Sequence, residues 1–100
     1  MSVPARLLIS PRAAADLEEL ADFIARDNPA RAASSVAELE RQCRTVAAQP
    51  ELYPARPDIA PQVRVAAYRR YLVIYRWLPE SAVVRIERGL HGARHSQGQV

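Results

Sequence analysis

Residues 62–90 read QVRVAAYRRYLVIYRWLPESAVVRIERGL. Side chains along a strand alternate between two faces, and this stretch carries that period of two. Val63, Val65 and Ala67 alternate with Arg64, Ala66 and Tyr68. Tyr71 to Trp77 (YLVIYRW) is rich in aromatic and β-branched types, which suit a pleated, half-buried surface. Leu78-Pro79-Glu80-Ser81 reads as a turn. Ala82 to Leu90 reads as a last strand with Val84, Ile86, Arg88 and Leu90 on one face. Three strands spaced this closely imply an antiparallel meander.

Upstream, the period changes to that of a helix. Ser10-Pro11 gives a helix start, because Ser caps free N–H groups and Pro has no N–H to leave unpaired. Leu17, Leu20, Ala21 and Ile24 then fall at i, i+3, i+4 and i+7, one apolar face. Asp16, Glu18 and Glu19 lie in its first half and Arg26 near its end, as the helix dipole favours. Asp27-Asn28-Pro29 breaks this helix and starts a second, which runs to Gln49 before Pro50 stops it. Ala32, Val36, Leu39, Cys43 and Val46 form its apolar seam. So short a break forces an antiparallel helical hairpin. Residues 5–9 read as a short strand. Prolines at 50, 54, 57 and 61 make the segment between the helices and the meander a rigid connecting loop. The expected order is β-α-α-β-β-β, an α+β fold with a helical hairpin packed on a small antiparallel sheet. One domain over residues 1–100 is expected, with 92–100 as a flexible tail.

Composition narrows the function. The chain has 100 residues, 49% apolar and 25% charged, which is ordinary for a globular domain. All 14 basic residues are Arg, against 11 acidic ones, for a net charge of +3. This mild positive field favours an acidic partner without specifying a nucleic acid. No apolar run spans a membrane or forms a signal segment, so a cytoplasmic location is expected. A single cysteine, Cys43, excludes a disulfide framework, and its place on the helix seam makes it a small core residue. The three glycines form no phosphate-cradling loop. His91 and His95 lie four apart, but Gly92 follows the first and no third ligand type is near, so no metal and no cofactor are expected.

Arg88 is the most pointed side chain. An Arg on an inward strand face needs carboxylate or carbonyl partners, or an open cleft. A salt bridge to a helix-one carboxylate and a place in a binding cleft are both open to it. Arg64, Arg69, Arg70, Arg76 and Arg85 add a basic, aromatic-lined sheet surface, although each singly is an ordinary surface charge. Tyr71, Tyr75 and Trp77 share one face, which suits hydrophobic packing or a peptide-binding surface better than base stacking.

Five segments, in this order, carry a resemblance to a known family: SPRAAADLEEL (10–20), DNPA (27–30), QPELYPARPDIAP (49–61), YLVIYR (71–76) and RGLHGAR (88–94). Together the chain resembles the RelE/ParE superfamily of bacterial type II toxins, on its ParE side. Two positions depart from the pattern: Ala21 stands where an aromatic residue is common, with Phe23 nearby to fill the groove, and Gly89 replaces a branched apolar residue, which loosens or bulges the last strand. The resemblance implies the same β-α-α-β-β-β fold and a ParD-like antitoxin whose C-terminal segment wraps the toxin. ParE-like members poison DNA gyrase without a hydrolytic site of their own, whereas RelE-like members cleave messenger RNA on the ribosome. Ribonuclease chemistry needs a base, an acid and cations to hold the phosphate. Arg64, Arg88 and His91 are the residues available for it, with no Lys anywhere and no Tyr after the last strand. The gyrase-type activity is therefore expected, with ribosome-dependent ribonuclease or an inactive antitoxin-binding module as alternatives. Arg64, Arg88, His91 and Arg94 are the expected residues of toxicity or target binding. Leu17, Leu20, Phe23, Ile24, Tyr71, Tyr75 and Trp77 are the expected antitoxin contacts.

Overall fold

The computed structural model describes residues 5–91. Its elements are β1 (Arg6–Ile9), α1 (Pro11–Ala25), α2 (Pro29–Ala48), β2 (Val63–Tyr68), β3 (Tyr71–Leu78) and β4 (Val83–His91). The expected tail, with Arg94 and His95, lies outside the described residues.

Both helix starts follow from their capping residues. The Ala13 N–H donates to Ser10 Oγ at 3.1 Å and the Arg31 N–H to Asn28 Oδ1 at 3.0 Å, with Pro11 and Pro29 next to the caps. α1 buries Ala13, Asp16 and Leu20. α2 buries Ala32, Leu39, Cys43 and Val46 as its seam predicts, while Val36 is half-buried and Ser35 and Gln42 lie inside instead.

The sheet order is β1-β4-β3-β2. β2, β3 and β4 form the expected antiparallel meander. β1 adds to it in parallel on β4, from Arg6↔Val83 to Ile9↔Ile86, so the sheet is mixed rather than wholly antiparallel. The helical hairpin acts as the crossover that parallel neighbours require. It covers one face of the sheet, where Tyr71, Val73 and Tyr75 of β3 and Val84 and Ile86 of β4 are all at most 3% exposed. The β2–β3 hairpin closes through a two-residue turn, Arg69-Arg70, between the paired Tyr68 and Tyr71. Arg69 sits there at φ 55°, a left-handed conformation that glycine adopts more cheaply.

The proline-rich segment is anchored rather than loose. Tyr75 Oη donates to Pro50 O at 2.8 Å, Gln42 Nε2 to Tyr53 Oη at 3.2 Å, and Arg64 Nη1 to Tyr53 O. Burial pushes the Tyr75 hydroxyl up to about 12, with the Arg64 charge opposing the shift and Tyr53 adding to it. Cys43 is 4% exposed, and burial, with Glu40 nearby, pushes its thiol up to about 11 against the opposing charge of Arg44.

Two measurements test this core. A thiol held neutral and buried reacts slowly, because the thiolate is the nucleophile. A disulfide reagent at pH 8 should therefore modify Cys43 only as fast as the protein unfolds, and rapid stoichiometric labelling of the folded chain would place Cys43 at the surface. A tyrosine whose folded pKa is raised stabilises the fold fully below its unfolded pKa, and that contribution is lost as pH rises toward the folded value. Stability should fall between about pH 10 and the Tyr75 value of about 12, and Tyr75→Phe should flatten that part of the profile in chemical denaturation.

Candidate functional site

Strand alternation alone places Arg88 and Leu90 on the helix-facing side of β4. The structure corrects this placement. Ile74 pairs with Arg88 but Tyr75 pairs with Ile86, so Glu87 is an extra residue, a β-bulge. Beyond it the alternation changes phase. Gly89, not Arg88, lies opposite the buried Val73, and His91 lies opposite the buried Tyr71. A Cβ at Gly89 would meet Leu39 Cδ2 at 3.4 Å, so α2 packs almost against the strand backbone there.

A bulge leaves ladder groups without strand partners, and α1 supplies them. Ser10 Oγ donates to Glu87 O at 3.1 Å while also accepting from its own helix. Asp16 Oδ2 accepts the Gly89 N–H at 3.0 Å. Arg88 closes the cluster with a two-pronged contact to Asp16, Nε to Oδ2 at 2.8 Å and Nη2 to Oδ1 at 3.0 Å. This geometry makes a strong, directional pair. The Asp16 side chain is 1% exposed and that of Arg88 31%. Burial by itself would raise the Asp16 pKa. The Arg88 and Gly89 hydrogen bonds and the charges of Arg88 and Arg12 outweigh burial and hold the carboxyl below its usual range. The same pair raises the pKa of Arg88. Of the two partners open to Arg88 in the sequence, the helix-one carboxylate is the one it takes. Asp16 carried a signal of this role: it shares the inward stripe of Ala13 and Leu20, where a carboxylate needs a cation.

The other expected site residues are dispersed. Arg64, on β2, is half-buried and committed to Tyr53 O. His91, at the end of β4, packs edge-on against Tyr71 with ring centroids 5.2 Å apart. Among the expected antitoxin contacts, Leu20, Tyr71 and Tyr75 are buried in the chain's own core. Little of their surface is exposed, because the aromatic face of β3 turns toward the helices. Leu17, Ile24 and Trp77 are half-buried against that core, and Phe23 is 39% exposed. Arg76 and Arg85 both meet Glu87 on the sheet, at 3.2 and 3.7 Å. Among the described residues no cluster of three metal-ligating side chains occurs, and no helix is long and apolar enough to cross a membrane.

A family model described as the ParE toxin of the type II toxin-antitoxin system parDE matches residues 7–95. Among solved structures, the chain is similar to one from the chromosomal ParDE toxin–antitoxin system of P. aeruginosa. That match has a TM-score of 0.74 at 22% identity and covers 90% of this chain and 98% of the other. It is also similar to a chain of the RelBE2 toxin–antitoxin complex from Mycobacterium tuberculosis, with a TM-score of 0.66 at 25% identity, covering 91% and 94% of the two chains. No curated protein matches it.

The Asp16 cluster yields a direct test. Arg88→Leu strands a buried carboxylate and should cost on the order of 3 kcal/mol, lowering Tm by about 10 °C or more. Adding Asp16→Asn to Arg88→Leu should recover part of that loss, since the unpaired charge is then gone. Because the Asp16 pKa is depressed, its contribution is present above the unfolded carboxyl pKa and is lost as pH falls through the folded value. Acid unfolding of the parent should therefore be steeper below about pH 4 than that of Asp16→Asn. Equal acid profiles would show that the pair does not hold the fold.

Proposed function

Given that the chain belongs to the ParE toxin family of type II toxin–antitoxin systems, we propose that it arrests growth by poisoning DNA gyrase and is neutralised by a ParD-like antitoxin. The observation that carries the choice of target is the commitment of the two best-placed cations. Phosphate clamping in a ribonuclease needs guanidinium forks presented to the substrate. Arg88 already spends its fork on Asp16, and Arg64 is engaged with Tyr53 O. A toxin that acts by binding needs no such set. Arg64, Arg88 and His91 keep partly exposed side chains, so each can support a contact with the target without losing its internal partner.

Antitoxin recognition follows from charge and exposed apolar surface. A net charge of +3 steers an acidic partner. Phe23 on α1 and Leu8, Ile9 and Leu72 on the sheet remain exposed for apolar contact. They are scattered over two layers, which suits a segment that folds along the surface rather than a ligand in one pocket.

Induction of the chain without antitoxin should arrest division and provoke a DNA-damage response, while the wild-type chain co-expressed with a neighbouring ParD-like protein should permit growth. Cleaved ribosome-bound messages preceding any DNA damage would instead establish the RelE-type ribonuclease, a reading to which the likeness to the RelBE2 chain lends support. Unchanged growth despite soluble, folded protein would identify an inactive antitoxin-binding module. The C-terminal half of the antitoxin alone should raise the toxin Tm at micromolar concentration, and Phe23→Ala should weaken that effect roughly tenfold, as loss of one exposed aromatic anchor does.

A further inference from the structure

A cleft lies away from the Asp16 cluster, where the α1–α2 hairpin meets the turn between β2 and β3. Its volume is about 410 Å³, within the size range of small-ligand sites. α2 lines it with Arg31, Ser35 and Glu38, at i, i+4 and i+7 and therefore on one helix face. Ile24 of α1 and Tyr71 of β3 supply apolar wall, and Arg70 comes from the turn.

Two buried acceptors on the α2 wall lack donors. Ser35 is 1% exposed, and its hydroxyl has no hydrogen-bond partner among the described residues. A serine inside a helix either turns to water or returns its hydroxyl to a carbonyl one turn back. The neighbouring Ser34 takes the second course, donating to Arg31 O at 3.1 Å, whereas Ser35 takes neither. Glu38 Oε1, one turn further along, is likewise buried and unpartnered. Buried polar atoms are nearly always satisfied, and each exception calls for an explanation. The other carboxylate oxygen, Glu38 Oε2, lies 3.7 Å from Arg31 Nη1. That is well beyond the roughly 2.8 Å of a charge-assisted hydrogen bond. The Arg31 side chain is 53% exposed, so its fork is open to the cleft and to solvent.

A cation and an anion held side by side without closing on each other complement a ligand that carries the same two charges on neighbouring atoms. We propose that this cleft binds a free α-amino acid as its zwitterion, the ammonium donating to Ser35 Oγ and Glu38 Oε1 and the carboxylate accepting from Arg31. An ammonium has three N–H donors, enough for both orphaned oxygens, and a guanidinium takes a carboxylate two-pronged. A bare amine would add a cation beside Arg31 and Arg70. A bare carboxylate would leave Ser35 and Glu38 as they are and set a second anion against Glu38. Within a polypeptide the α-amine and α-carboxyl are spent in peptide bonds, so the ligand is the free amino acid. Ile24 and Tyr71 favour one with an apolar side chain, such as leucine. The ligand asks nothing of Arg69 and His91, which also line the cleft and have interactions of their own. Binding here is independent of whether gyrase or the ribosome is the target.

Titration of the purified full chain with L-leucine, read by calorimetry and by Tm, tests the site against two relatives of the ligand. Isocaproate is leucine without its amine, and isoamylamine is leucine without its carboxylate. Leucine should bind at least roughly tenfold more tightly than either. Ser35→Ala should weaken leucine roughly tenfold without lowering the ligand-free Tm, because it removes a hydroxyl that has no partner. A merely structural Ser35 would show the reverse. Glu38→Gln should narrow the preference for leucine over isocaproate, and Arg31→Gln the preference for leucine over isoamylamine. Should Ser35→Ala or Glu38→Gln fail to fold, Arg31→Gln, at an exposed side chain, carries the test with a roughly tenfold loss of leucine affinity. A cleft that holds only water would show no leucine binding at low-millimolar concentration. That result, equal binding of leucine and either relative, or leucine binding indifferent to Arg31→Gln would each overturn the proposal.

Discussion

One buried carboxylate ties the helix layer to the sheet. Asp16 receives three hydrogen bonds, two from Arg88 and one from the Gly89 N–H, and an ionised carboxylate has room for about four. It does so on the inward stripe of α1, where an unpaired charge would be intolerable. Ser10, six residues earlier and about 9 Å along the helix axis, holds the carbonyl of Glu87. Two grips from one helix thus fasten two backbone groups of one strand, on either side of Arg88. β1 ends at Ile9, opposite Ile86, so these are the ladder positions where β4 has lost its outer neighbour. The helix takes over from the strand. The bulge, the start of α1 and the length of β1 are consequently one feature rather than three.

This feature also separates what can be read in the sequence from what cannot. Helix starts were legible because a cap and a proline are local chemistry: Ser10-Pro11 and Asn28-Pro29 act within one turn. The meander was legible because its period is written in consecutive residues. The phase change at Glu87 was not. Alternation assumes that every residue occupies one ladder position, and an extra residue leaves no mark on composition. Gly89 hinted at irregularity, but only the partners on α1 decide which residue bulges. The parallel docking of β1 was hidden for a similar reason, since four residues carry no record of which strand they join. Tyr71 and Tyr75 show the opposite limit. Alternation puts them on one face of β3, yet whether a face meets the chain's own helices or a partner depends on tertiary packing.

The arginine-only basicity of the chain resolves into distinct groups in space. Arg88, Arg64 and Arg76 are engaged with a carboxylate, a carbonyl, and a carboxylate and a carbonyl together, respectively. Arg31, Arg69 and Arg70 gather round one cleft instead. The first group needs the planar fork. Asp16 is met by two nitrogens of Arg88 at 2.8 and 3.0 Å, and a lysine offers a single compact ammonium that cannot span both oxygens in that plane. It would also be dehydrated at greater cost. For this reason position 88 calls for Arg in particular rather than for any basic residue. The fork is part of how the bulge is held, and through the bulge it sets which residues of β4 face the helices. A chain built this way has its most conspicuous cation tied up in architecture.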